Sequence, residues 1–114
     1  METESTRQQK VARQLQKDLS EIFQQQGMRV YDGAMVSVTG VRISPDLSFA
    51  KVFVSIFPSS KTETVVRIIL QNTKTIRMEM GKRVKNQLRM VPEIAFNVDD
   101  SLDYVEKIES LLKK

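Results

Sequence analysis

Val36-Ser37-Val38-Thr39-Gly40-Val41-Arg42-Ile43-Ser44-Pro45-Asp46-Leu47-Ser48-Phe49-Ala50-Lys51-Val52-Phe53-Val54-Ser55 reads as strand, turn, strand. Met35 to Ile43 is rich in Val, Ile and Thr, and Phe49 to Phe57 alternates Ala, Val and Ile with Phe and Lys. Both compositions suit a pleated, half-buried surface. Pro45 presets φ for the second position of a turn and Ser44 offers a hydroxyl to the local backbone, so a short antiparallel hairpin is predicted. Val36 and Val38 fall on one side of the first strand, Val41 and Ile43 on the other. A bulge near Gly40 would bring both pairs to one face.

Upstream, Val11, Leu15, Leu19, Ile22 and Phe23 share one face of a helix predicted from about Ser5 to Gln26, with Ser5 or Thr6 as cap and Gly27 as terminator. Downstream, Ser60 followed by Glu63 has the spacing of a capping box, so the next helix is expected to begin there. Its stripe runs through Val66, Ile69, Thr73, Ile76, Met80, Val84 and Leu88, long enough that a kink or break is expected at Thr73-Lys74-Thr75 or Gly81. Ile94, Phe96 and Val98 alternate as a third strand after Pro92, and Asp99 to Ser101 can cap a short last helix carrying Leu102, Val105, Ile108, Leu111 and Leu112. The fold class is therefore α+β, with helices on one face of a small sheet. With 114 residues and 40% hydrophobic composition, one domain spanning residues 1–114 is expected, the first five disordered.

The chain has no Cys and no His. That removes disulfides, thiolate chemistry and the side chain best suited to proton transfer near neutral pH. Met1-Glu2-Thr3-Glu4 is acidic where a signal peptide would be basic, and no apolar run spans a bilayer, so a cytoplasmic protein with no membrane partner is expected. The net charge is +4, unevenly spread. Lys74, Arg77, Lys82, Arg83, Lys85 and Arg89 face only Glu79 within their own stretch, whereas Asp99, Asp100, Asp103, Glu106 and Glu109 crowd the end.

A row of long cations can neutralise successive phosphates, which makes Arg77, Lys82, Arg83, Lys85 and Arg89 candidate RNA contacts. A solvated helix face accounts for the same run equally well. On the second strand, Phe49, Lys51, Phe53, Ser55 and Phe57 alternate on one side, and aromatics beside a cation can stack bases. Packing favours a different expectation, that Phe53 and Phe57 are covered by the first helix or by chain termini. Lys51, with Arg42, remains on the list of candidate contacts. Asp99, Asp100, Asp103 and Glu106 could hold magnesium in a metal-dependent nuclease, but acidic residues in a first helical turn are explained by the macrodipole. A module docking an acidic protein is the remaining alternative.

Several segments carry a resemblance. Asp32-Gly33, Val36 to Leu47 with its Ser-Pro-Asp-Leu turn, Ala50-Lys51-Val52, Leu88-Arg89-Met90-Val91-Pro92-Glu93-Ile94 and Asp99-Asp100-Ser101-Leu102 follow one another as in the ribosome-binding factor A family. Arg7 and Val11 to Leu19 also suit that family's opening helix, so the chain resembles it from about Arg7 to Leu112. The resemblance implies a type II KH-like domain that binds immature small ribosomal subunits and their ribosomal RNA to promote late maturation; a monomer is expected. It further implies no catalytic residue, cofactor, metal or small-molecule substrate. Where the family bends its long helix at alanine-x-glycine, this chain has Thr73-Lys74-Thr75. The GXXG loop by which many KH modules grip nucleotides is absent, so RNA contact must use another surface.

Overall fold

A computed structural model of the protein describes residues 5–88 and 90–99. The predicted last helix, with Asp100, Asp103 and Glu106, and the candidate Arg89 lie outside them. Helix α1 (Thr6–Gln26) is followed by strands β1 (Met35–Ile43) and β2 (Phe49–Phe57), helix α2 (Thr62–Val84) and strand β3 (Glu93–Val98). The sheet order is β1-β2-β3, with β1 antiparallel and β3 parallel to β2. A parallel neighbour requires a crossover, and α2 supplies it.

The hairpin forms as its residues require. Register shifts between Val38 and Gly40, so Thr39 is the extra residue of a bulge. Val36, Val38, Val41 and Ile43 then stand opposite Ile56, Val54, Val52 and Ala50, all on the core side. Val52 is fully buried and Val54 nearly so, and each such side chain contributes about 1.5 to 3 kcal/mol over exposure. In the turn, the Leu47 amide donates to the Ser44 carbonyl and Leu47 takes a left-handed φ of 62°. The Phe49 amide donates to Ser44 Oγ, while Asp46 Oδ1 accepts from the hydroxyls of Ser44 and Ser48 and from the Ser48 amide.

These donors, the Ser48 hydroxyl first and the Ser44 hydroxyl next, hold the Asp46 carboxyl down at about 2, below its ordinary 3.8. A depressed folded value stabilises the protein above the unfolded value and loses that effect as pH falls through the folded one. Asp46→Asn should therefore unfold more easily than wild type near pH 5, the gap closing between pH 4 and 2. Urea midpoints measured across that range check it; a constant gap would contradict the turn chemistry.

Ser5 caps α1 in a reciprocal box: Gln8 N donates to Ser5 Oγ and Ser5 N donates to Gln8 Oε1. Gln8 Nε2 also donates to the Ile43 carbonyl, and Gln16 Nε2 donates to that of Val38. Two side chains of α1 thus occupy acceptors on the outer edge of β1, where a foreign strand would otherwise pair. Gly27, with φ 80°, ends the helix as expected.

The start of α2 corrects the sequence reading. Ser60 and Glu63 form no capping box; a short 3-10 turn covers Ser59–Lys61, the cap is Lys61, and no side-chain capping bond is made there. The Thr62 hydroxyl donates instead to the Ser59 carbonyl. With a 3-10 turn satisfying the first amides, the box has no geometry in which to close. Accordingly Ser60→Ala should leave stability within about 0.5 kcal/mol of wild type, whereas Ser5→Ala should cost about 1 kcal/mol. Chemical unfolding of the two variants distinguishes the caps.

One unbroken helix then takes the whole stretch to Val84. The Thr73 hydroxyl donates to the Ile69 carbonyl, the back-bond by which a helix bends without losing continuity. Gly81 is no break either. A Cβ there would sit 2.9 Å from Val91 Cγ2, so the glycine lets the segment leading into β3 pack close against α2. Val65, Ile69, Ile76, Met80 and Val84 of α2 join Leu15, Leu19 and Ile22 of α1 over the core face of the sheet.

Candidate RNA-binding surface

At 100° per residue, Lys74, Met78, Lys82 and Lys85 fall within a quarter-turn stripe of α2 and its C-cap. All four are exposed. At a rise of about 1.5 Å per residue, the lysines cover roughly 16 Å of surface. Lys82 Nζ lies 3.3 Å from Glu79 Oε1, an exposed pair worth little and readily exchanged for another anion. Lys74 and Lys85 form no ion pair among the described residues. Lys74 is absent from the contacts singled out in the sequence, although its spacing of eight and eleven residues from Lys82 and Lys85 marks it as their neighbour on the helix surface.

The two arginines of the same stretch are engaged elsewhere. Arg77 Nε donates to the Pro92 carbonyl and its Nη2 to that of Val91, each at 3.1 Å, with Glu93 Oε1 at 3.8 Å. Its guanidinium fork thus ties α2 to the entry of β3, the geometry that a planar, five-donor group serves best. Arg83 donates from Nη1 to Glu21 at 2.5 Å and from Nη2 to Gln25 at 3.0 Å, bracing α2 against α1. Charge runs in a sequence do not separate such braces from free cations; position on the wheel does.

Arg42 and Lys51 are brought together as direct cross-strand partners, but on the sheet face turned away from the helices. They and the α2 lysines form two separate surfaces. That sheet face also corrects the expectation that the first helix covers Phe57. The first helix packs on the core side, and Phe49 and Phe57 stand 44% and 63% exposed, with Phe53 half-buried. Among the described residues, no group of three His, Cys, Asp or Glu could hold a metal ion, and no helix is long and apolar enough to cross a membrane.

Comparison with known proteins bears on the family and the fold. The sequence profile of the family described as "Ribosome-binding factor A" matches residues 7–112. Ribosome-binding factor A of Christiangramia forsetii is 44% identical over 113 residues, covering 96% of this chain and 85% of that protein. The crystal structure of ribosome-binding factor A from Thermus thermophilus superposes with a TM-score of 0.66 at 24% identity, over 80% of this chain and 94% of that one. A Thermus thermophilus ribosome-binding factor A, fitted as a homology model into the cryo-EM map of a 30S complex, gives 0.64 at 24% identity over 77% and 90%. The α+β arrangement seen here is the KH-like fold of those structures. With a family profile matched over nearly all its length and a close relative covered almost end to end, this chain belongs to the ribosome-binding factor A family.

Proposed function

We propose that this protein is a cytoplasmic assembly factor that binds the immature small ribosomal subunit and its ribosomal RNA, favouring a late maturing conformation until it is released. It makes and breaks no bonds. The observation that carries the reading is the stripe of Lys74, Lys82 and Lys85, exposed and, among the described residues, with no ion pair but that of Lys82 to Glu79, on a member of this family. Point charges on flexible stems suit phosphate oxygens along a backbone, because they need no fixed fork geometry. The 30S complex of the Thermus thermophilus homologue supports the choice of partner. Arg77 and Arg83 hold α2 in place so that the lysines are presented on a rigid rod, and Arg89 extends the same basic stretch.

Such binding is electrostatic in its larger part and therefore falls with salt. Sedimenting a cell extract through a sucrose gradient tests the reading: the protein is expected in the fractions that hold free small subunits.

A further inference from the structure

The sheet face turned away from the helices carries a second arrangement that the lysine stripe does not use. β2 presents Phe49, Lys51, Phe53 and Phe57 there, with Arg42 on β1 directly opposite Lys51 and Met35 opposite Phe57. Two features of this face are costly in isolation. Like charges directly opposite across an antiparallel pair destabilise it, and neither Arg42 nor Lys51 finds an ion pair among the described residues. Phe57 and Met35, also cross-strand partners, hold 63% and 52% of their surface in water. An anionic ligand with flat apolar faces would relieve both at once.

We infer that this face binds a short stretch of unpaired RNA, its bases stacked on the phenylalanines and its phosphates held by Arg42 and Lys51. The inference rests on the RNA-binding reading above and adds a second contact of a different kind. Phe49, Phe53 and Phe57 are four residues apart on β2, so neighbouring rings stand about 13 Å apart along the strand. That is roughly four times the 3.4 Å rise per nucleotide along one strand of a duplex. Bases held at that spacing are splayed from one another, which an unpaired strand permits and a duplex does not. Lys51 Nζ already lies 5.5 Å from the centroid of the Phe53 ring, so cation and aromatic are interleaved rather than segregated. Glu93, opposite Phe49 in β3, is an acid at this border, and it leans toward Arg77 at 3.8 Å.

The test is fluorescence anisotropy of the full chain with a labelled single-stranded RNA octamer of mixed sequence, alone and annealed to its complement. Phe49→Ala and Phe57→Ala should each weaken single-strand binding about tenfold. Lys51→Ala should lower the slope of log affinity against log salt by about 0.7. Leu70→Ala, an exposed apolar residue on α2, serves as the control and should change nothing. Both rings are exposed, so the variants are expected to fold, and circular dichroism verifies it. Equal binding of octamer and duplex, or affinities indifferent to both phenylalanines, would overturn the inference. So would a wild type that dimerises through this face and becomes monomeric on Phe57→Ala. If the wild type ignores the octamer but still travels with small subunits, this inference fails and the reading above stands; if it does neither, both fail.

Discussion

Replacing Lys74, Lys82 and Lys85 together with Ala is expected to weaken association with free small subunits by about a hundredfold at roughly 0.1 M salt. The magnitude follows from counterion release, in which each phosphate contact contributes a slope of about 0.7 to 0.9 in log affinity against log salt. Three lost contacts should flatten that slope by about 2. Stability should hardly move. The side chains are exposed, the Lys82–Glu79 pair is worth under about 1 kcal/mol, and loss of a cation from the last turn of α2 costs a few tenths through the helix dipole. Binding and unfolding curves of the same preparation separate the two effects. A triple variant with wild-type affinity and slope would reduce the stripe to a solvated helix face.

Arg77→Ala is expected to do the reverse. Its guanidinium satisfies the carbonyls of Val91 and Pro92, and Pro92 is fully buried. Removing a charged donor from acceptors with little water access should cost about 2 kcal/mol. Arg77→Lys should rescue only part of that, because an ammonium cannot reproduce two parallel donors on consecutive carbonyls. The urea midpoint should fall with the slope of the transition unchanged, while affinity per folded molecule stays within a few-fold of wild type. Wild-type stability combined with a large loss of affinity would return Arg77 to the list of phosphate contacts.

The contrast between these residues shows what a linear sequence carries. Strands β1 and β2 were legible to the residue, because period-two alternation and the Ser44-Pro45-Asp46 turn leave one register that turns every Val of the hairpin toward the core. The bulge at Thr39 was legible for the same reason: without it, half of β1 would face the wrong way. The start of α2 was not, since a 3-10 turn and a capping box share a sequence signature and only backbone geometry selects between them. Gly81 misled because a glycine in a helix signals either weakness or close approach, and Val91, ten residues on, decides for the second.

The candidate site was legible in composition and less so in detail. The basic stretch announced itself, but Arg77 and Arg83 find partners on β3's approach and on α1, at separations no local pattern encodes. Lys74, part of the basic stretch but not among the candidate contacts, lies on the same stripe of the helix as Lys82. The exposure of Phe49 and Phe57 depended on which side of the sheet α1 would take, and α1 joins α2 on the core face. That choice leaves the opposite face open among the described residues.

The central claim is that this protein acts by binding the small subunit through ribosomal RNA phosphates. Gradient sedimentation of a cell extract, run once at low and once at high salt, tests it most directly. The account predicts that the protein travels with free small subunits at low salt, is largely absent from assembled ribosomes, and returns to the top of the gradient at high salt. Protein that stays at the top at low salt, or that remains on the subunit undiminished at high salt, would contradict it.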